Sequence, residues 1–219
     1  MARAQTTLDF LVGTTVFLLT VSAALVTVPG LIDPFATGME AHSITADRIA
    51  ANEEYKERIL RGKALAGPEK GGQVTFNPEP VTIDGTQYYV GRLDGEMLGA
   101  AFTTVTNKGY AGPIEIVIGM KGDTVTGIGI KSSSETPGLG ANATAVKYGE
   151  TEAWFLAQFK NLEPEQITLK KDDPEGEIDA ITAATITSRA IAEAVHEEAR
   201  EFQEVWPQLK EHSDYASAK

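Results

Sequence analysis

The chain reads IEIVIG at residues 114–119, KGD at 121–123 and TVTGIGI at 124–130, and this stretch decides the fold. Ile114, Ile116 and Ile118 recur at every second position, as side chains on one buried face of a strand do. The Lys-Gly-Asp segment between the two apolar runs supplies turn residues. The stretch therefore predicts a β-hairpin with one face against a core.

Strand patterns also precede this hairpin. They begin near Val74, include residues 88–90 after an Asp84-Gly85 turn, and continue in extended form over 100–104. An Asp-Gly pair between apolar runs often closes a hairpin. Residues 108–113 have the composition of a loop.

Helical patterns dominate the second half. Residues 148–159 carry an apolar stripe of aromatic side chains, and a final helix is predicted from about Ser188 to Val205, ended by Pro207. The apolar positions of the final helix step by four, four and three and are Ile191, Val195, Ala199 and Phe202. Strands followed by helices indicate an α+β fold, an antiparallel sheet with packed helices.

An N-terminal transmembrane helix is predicted ahead of this domain. Residues 10–32 contain no charged side chain, and 23 residues suffice to cross a bilayer core of roughly 30 Å. A single Arg3 before the segment favours a cytoplasmic N-terminus at 1–9 and places the C-terminal domain outside the cytoplasm, single-pass in the cell membrane. One alternative is a cleaved secretory signal. Another is the processing region of archaeal pilin-type signals, which residues 3–10 resemble and which are cut just before the Gln.

The remaining boundaries follow from composition. Residues 43–66 have a loose apolar series among charges, so 33–75 is expected to be a helical spacer and linker, with 76–206 as the globular domain and 207–219 as an acidic polar tail. The chain has no cysteine, which excludes cysteine-ligated clusters and disulfides within it. Its net charge of −12 disfavours nucleic acid as a partner. Three scattered histidines give no basis for a metal site.

Two short segments carry the chemistry, and the first reads DAITAATITSR at 179–189. Thr182, Thr185, Thr187 and Ser188 place four hydroxyls just ahead of the predicted final helix. A helix N-terminus favours a phosphate, and Arg189 offers a counter-charge. The alternative is an ordinary helix cap in which Thr187 or Ser188 accepts a backbone N–H.

The second segment reads SETPGLG at 134–140, between the hairpin and the next helix. Two glycines permit the backbone to approach a flat ring, Thr136 can bond a ring edge, and Leu139 can pack on an apolar face. The alternative is a plain Pro-Gly turn. A dinucleotide fingerprint over 138–143 is rejected, because no βαβ unit surrounds it.

Both segments resemble motifs of the FMN-binding domain family, which includes the G subunit of Rnf complexes and the C subunit of sodium-translocating NADH:quinone reductases. The resemblance covers roughly residues 76–206. It implies FMN attached by a phosphoester to Thr185, with Thr187 as the alternative acceptor and Asp179 read by a flavin transferase. The implied cofactor-binding residues are Glu135, Thr136, Gly138, Leu139, Gly140, Thr182, Ala183, Ala184 and Thr187. The family usually has Gly where this chain has Ala183, a change that strains the loop if φ is positive there.

The implied function is electron transfer by a membrane-anchored flavoprotein, as a component of an Rnf-like ion-translocating complex rather than as a self-sufficient enzyme. Its partners would be other electron-transfer proteins of that complex and, for maturation, a flavin transferase that uses FAD and Mg²⁺. Two alternatives remain open: a stand-alone surface flavoprotein for extracellular electron transfer, and a pilin-like structural protein without flavin.

Overall fold

The structure, a computed structural model, describes residues 46–217. Nearly all of them belong to one compact unit, Ala50–Lys219. The predicted N-terminus at 1–9 and membrane segment at 10–32 lie outside the described residues. Among residues 46–217, no helix is both long enough and apolar enough to cross a bilayer.

The centre of the domain is an antiparallel sheet of six strands. The strands are β1 (Thr75–Phe76), β2 (Val81–Ile83), β3 (Thr86–Leu93), β4 (Glu96–Thr106), β5 (Ile114–Lys121) and β6 (Thr124–Ser133). The strand order is β1-β3-β4-β5-β6. Strand β2 also pairs with β3, along a different part of β3 from the part that pairs with β1. The predicted β5–β6 hairpin is confirmed, with Ile118 opposite Ile128. The Asp84-Gly85 turn joins β2 and β3, and both residues have positive φ, as a two-residue hairpin turn requires.

Two long helices pack against the sheet. One packs against glycines of the strands, and the other packs through stacked aromatic rings. Helix α1 (Ala46–Lys70) packs against glycines of β5 and β6, where a Cβ at Gly119 would lie 2.5 Å from the carbonyl oxygen of Ala64. Helix α3 (Thr185–Ser217) is joined to β4 by the stacked rings of Phe102 and Phe202, whose centroids are 5.5 Å apart. The structure therefore confirms the α+β fold with an antiparallel sheet and packed helices.

The predicted helix over 148–159 is wrong for most of its length. Only α2 (Trp154–Ala157) is helical, because Gly149 has a φ of 86° and Val146 pairs with Ala153 in an isolated β-bridge. The aromatic residues Phe155 and Phe159 are nevertheless fully buried.

The limits predicted for the two long helices also need correction. Helix α1 was expected over 43–66 but extends to Lys70, with non-helical backbone at Gly67. Helix α3 begins three residues before Ser188 and continues through Pro207 into the segment expected to be a polar tail. Leu209 is fully buried, so core packing beyond the proline offsets the hydrogen bond that the proline lacks. The predicted apolar stripe of this helix is confirmed, since all four of its residues are buried.

Candidate functional site

One cleft brings the two chemistry-bearing segments together. It has a volume of about 370 Å³ and lies between the loop after β4, the loop after β6 and the first turn of α3. Its lining consists of Tyr110, Glu135, Thr136, Leu139, Gly140, Ala183, Ala184, Thr185, Ile186 and Thr187. Eight of these ten were singled out from the sequence, although the two segments are about 45 positions apart in the chain.

Glu135 forms the floor of this cleft and connects its three walls. One carboxylate oxygen accepts a hydrogen bond of 3.1 Å from the backbone N–H of Ala111, and the other accepts one of 2.7 Å from the hydroxyl of Thr187. Glu135 is only 7% exposed and Thr187 1%. A buried carboxylate is stabilised by such donors, so this pair fixes the loop after β4 against the first turn of α3.

The two glycines of the Thr136–Gly140 loop serve different purposes. Gly138 has a φ of 78°, in the left-handed region, and a Cβ there would meet nothing within 4 Å. Gly140 is confined instead by space, because a Cβ would lie 2.6 Å from the hydroxyl oxygen of Thr187 and closer still to Glu135. The turn itself is held by the N–H groups of Leu139 and Ala141, which both donate to the carbonyl of Thr136.

The first turn of α3 contributes Thr185, Ile186 and Thr187 to the cleft lining, and its backbone N–H groups need acceptors from outside the helix. The helix begins at Thr185, and the preceding residue, Ala184, has no side-chain acceptor for them. Thr187 and Ser188 lie inside the helix, so the alternative in which one of them caps it is wrong. Ser188 instead accepts from the N–H of Ile181 at 2.9 Å and donates to the carbonyl of Ala184 at 2.9 Å. This turn can accommodate an anion at its N-terminal end.

The cation beside the hydroxyl of Thr185 is one that the sequence did not single out. The ammonium of Lys171 lies 3.4 Å from that oxygen and donates a hydrogen bond to it. Arg189, the expected counter-charge, is held by Asp172 through two hydrogen bonds of 2.7 Å. These bonds lower the pKa of Asp172 below its usual range, so the pair stays ionised and mutually neutralised.

Ala183 adopts a left-handed backbone conformation, which favours glycine. Its φ is 60°, and it is exposed at the edge of the cleft. A left-handed conformation costs a residue with a Cβ roughly 1–2 kcal/mol. The loop before α3 therefore keeps its shape at a cost in stability.

Three predicted residues, Gly138, Asp179 and Thr182, do not line the cleft. The carboxylate of Asp179 is exposed and pairs with Lys170 at 2.9 Å, and this hydrogen bond raises the pKa of Lys170. The backbone of Asp179 is held by the amide of Gln158 through bonds of 2.8 and 3.2 Å. Thr182 is exposed in the turn that follows.

Three large apolar side chains that line the cleft are exposed to solvent. Tyr110, Leu139 and Ile186 are 69%, 38% and 51% exposed, and all three line it. Tyr110 and Ile186 were not predicted as site residues. The only sequence signal was their position beside motif residues: Tyr110 lies in the family-like stretch before β5, and Ile186 lies between Thr185 and Thr187. An apolar rim of this kind suits a flat, partly apolar ligand.

Comparisons with known proteins agree with this geometry. Residues 109–199 match the FMN-binding domain family, and residues 1–56 match a family of unknown function (DUF7287). The chain is similar to the G subunit of the Na(+)-translocating ferredoxin:NAD(+) oxidoreductase complex of Acetobacterium woodii, with 38% identity over 115 residues, 50% of this chain and 52% of the relative. The chain thus spans about half the length of that relative.

A longer match is found with the G subunit of the ion-translocating oxidoreductase complex of Methanosarcina acetivorans. It has 33% identity over 147 residues, 66% of this chain and 71% of the relative. A solved structure, the C subunit of the Na(+)-translocating NADH-quinone reductase from Parabacteroides distasonis, aligns with a TM-score of 0.47 at 17% identity, over 72% of this chain and 95% of that one. The chain therefore belongs to the FMN-binding domain family that includes the G subunit of ion-translocating oxidoreductase complexes.

Proposed function

We propose that the protein is an electron-transfer flavoprotein that carries FMN covalently on Thr185 and works as a component of an Rnf-like ion-translocating complex in a membrane. The observation that carries this proposal is the cleft that is lined both by Thr185 and by residues of the Thr136–Gly140 loop. FMN supplies one- and two-electron transfer when bound, and the protein sets its position and surroundings.

The residues present fit such a group. Thr185 lies at the first turn of a helix beside the Lys171 ammonium, a donor set that suits a phosphate ester. Tyr110, Leu139 and Ile186 offer apolar surface to a ring system. Thr136 offers a hydroxyl for a ring edge, and the small side chains of Ala183 and Ala184 leave room beside the phosphate. The cleft volume of about 370 Å³ is within the range of ligand sites.

The surroundings of the two candidate hydroxyls favour Thr185 over Thr187. The Thr187 hydroxyl is buried and already donates to Glu135, so its esterification would break that bond and push a phosphate into the core. Thr185 is partly exposed, and among residues 46–217 the one hydrogen bond to its oxygen comes from Lys171. In the attachment step, the Thr185 oxygen forms a bond to the phosphorus of the FMN half of FAD. The pyrophosphate bond to AMP breaks, AMP leaves, and the hydroxyl proton passes to the transferase.

Asp179 is proposed as a recognition residue for the flavin transferase. Its carboxylate is exposed and outside the cleft, on the loop that carries Thr182 and leads into α3 at Thr185. A transferase that approaches the cleft from solvent can contact it without disturbing the flavin position.

The domain is proposed to be tethered to the cell membrane by residues 10–32, with 1–9 in the cytoplasm and the domain outside the cytoplasm. Because α1 packs on the sheet, the proposed domain includes residues that the sequence assigned to the spacer and linker at 33–75, and it extends past the expected limits of 76–206. The charge-free composition of residues 10–32 supports the tether, since each central charge costs roughly 2.5–3.5 kcal/mol of insertion free energy. Full-length protein should stay with membranes after a carbonate wash, and its recovery in the soluble fraction would contradict the tether.

A stand-alone surface flavoprotein is the second candidate. The observation that favours it is that residues 1–56 match a family other than the FMN-binding domain. Purification from native membranes discriminates the two: other proteins of the complex should accompany the chain if it works in one, and none should if it works alone.

The attachment site is tested by co-expressing the chain with a flavin transferase. We expect the denatured protein to fluoresce on a gel under ultraviolet light and its intact mass to increase by one FMN minus water. Thr185→Val should abolish both signals, whereas Thr187→Val should keep them. Loss only in Thr187→Val would move the site to Thr187, and the absence of flavin from the wild type would refute the proposal.

A further inference from the structure

We propose that Lys171 is the residue that positions the flavin phosphate at Thr185. This inference rests on the proposed function and adds a residue outside both sequence motifs. The ammonium of Lys171 lies 3.4 Å from the hydroxyl oxygen of Thr185, the atom that would become the ester oxygen. A phosphorus atom bonded to that oxygen would bring its free oxygens within reach of the same ammonium.

The loop that carries Lys171 is fixed in place. The backbone N–H groups of Asp172 and Asp173 both donate to the carbonyl of Leu169, at 2.8 and 3.0 Å. Leu169 is buried and pairs in a β-bridge with Ile178, which is also buried. Lys171 therefore extends from a defined turn, and only its flexible side chain must be ordered on contact with a phosphate.

The neighbouring cations are already neutralised, and Lys171 is not. Arg189 forms a two-bond pair with Asp172, and Lys170 pairs with Asp179. Within the part of the chain that the structure describes, no carboxylate forms an ion pair with Lys171. A phosphodiester that carries one negative charge would thus find one unpaired ammonium beside the first turn of α3.

We expect Lys171 to speed the attachment of FMN and to restrict the position of the attached phosphate. Before the bond forms, Lys171 attracts the anionic donor to the Thr185 hydroxyl. Afterwards it restrains the ester. Because Lys171 is exposed, this attraction is screened by salt, whereas a purely structural role for the side chain would not depend on ionic strength.

The experiment follows attachment to the full-length protein by intact mass, with a flavin transferase, Mg²⁺ and FAD, at several KCl concentrations. We expect Lys171→Gln to slow attachment by about tenfold, the loss of roughly one charge-assisted hydrogen bond. Lys171→Arg should largely restore the rate. Lys210→Gln, at an exposed lysine on α3 that lies 25 positions after Thr185, is the control and should leave the rate unchanged.

A second readout uses the phosphorus nucleus of the loaded protein. The ³¹P resonance of the attached phosphodiester should shift in Lys171→Gln and keep its position in Lys210→Gln. If the wild type takes up no flavin, the proposed function fails. If the wild type is loaded but Lys171→Gln shows the same rate, the same salt dependence and the same ³¹P position, this inference alone is overturned. A slower rate with an unshifted ³¹P resonance would assign Lys171 to transferase recognition and also overturn it.

Discussion

The hydroxyl of Thr187 donates a hydrogen bond of 2.7 Å to the carboxylate of Glu135, joining two residues that are 52 positions apart in the chain. The same carboxylate holds the N–H of Ala111, so one buried side chain sets the relative positions of the cleft walls. Glu135 is therefore better placed to organise the cleft than to bond a ligand directly, because both of its oxygens already have donors within the protein.

Replacement of Glu135 should destabilise the domain in two graded steps. Glu135→Ala leaves the buried hydroxyl of Thr187 and the part-buried N–H of Ala111 without their acceptor, and we expect the free energy of unfolding to fall by about 2–4 kcal/mol. Glu135→Gln keeps one acceptor oxygen and should cost about 1–2 kcal/mol. Urea unfolding measures both variants, and Glu150→Ala, at an exposed glutamate, is the control.

The Glu135→Gln variant also tests the electrostatic effect of the Glu135 carboxylate on the flavin. A carboxylate near a ring disfavours its reduction, so Glu135→Gln should raise the midpoint potential of the loaded protein. An unchanged potential together with an unchanged stability would show that Glu135 has neither role.

The glycines of the loop after β6 should respond to alanine in different ways. Gly140→Ala places a methyl group against the Glu135–Thr187 hydrogen bond and should separate the pair, with a loss of stability of about 1–3 kcal/mol from overpacking. Gly138→Ala meets no atom within 4 Å and should cost only the strain of its positive φ, about 1–2 kcal/mol.

A double-mutant cycle distinguishes these two causes. The cost of Gly140→Ala should be smaller in a Thr187→Val background, because the hydrogen bond that it disrupts is already absent. The cost of Gly138→Ala should be the same in both backgrounds. Equal costs for Gly140→Ala in the two backgrounds would show that loss of this hydrogen bond is not the cause, because Thr187→Val keeps the shape of the side chain and the overlap with Glu135.

Periodicity and motif order predicted the sheet, the apolar stripe of α3 and most of the cleft lining, since each depends on local spacing. Other features depend on distant contacts that spacing does not contain. Helix α3 passes through Pro207 because Leu209 reaches the core, and residues 148–153 are not helical because a β-bridge and Gly149 override a helical pattern.

The missed features of the site have the same origin. Lys171 reaches Thr185 through a turn whose position depends on the buried Leu169. Arg189 was expected to serve the site but is held by Asp172, a partner 17 positions away that no helical spacing links to it. Side-chain pairing of this kind is decided by tertiary structure alone.

Ala183→Gly should stabilise the protein. Glycine relieves the roughly 1–2 kcal/mol cost of a left-handed alanine and adds about 0.5–1 kcal/mol of backbone entropy loss, which leaves a net gain of about 0.5–1 kcal/mol. Thermal unfolding detects this as a higher midpoint. Ala184→Gly is the matched control. It should destabilise, because Ala184 is buried and does not have positive φ. A lower midpoint for Ala183→Gly would show that this loop is not strained.

Tyr110 should contact the flavin ring, because it is the exposed aromatic side chain of the cleft rim. A phenol stacked on a flavin quenches its fluorescence, and an aromatic pair of this kind is worth about 0.5–1.5 kcal/mol. Tyr110→Leu should therefore raise the fluorescence of the loaded native protein and lower its anisotropy as the ring becomes more mobile. Tyr110→Phe should raise the fluorescence, since the electron-donating phenol is lost, while the anisotropy stays high.

Tyr148 is fully exposed and does not line the cleft, so Tyr148→Leu should change neither quantity. Equal fluorescence and anisotropy in the wild type and Tyr110→Leu, with full flavin loading by intact mass, would place the ring away from Tyr110 and leave Leu139 and Ile186 as its apolar contacts.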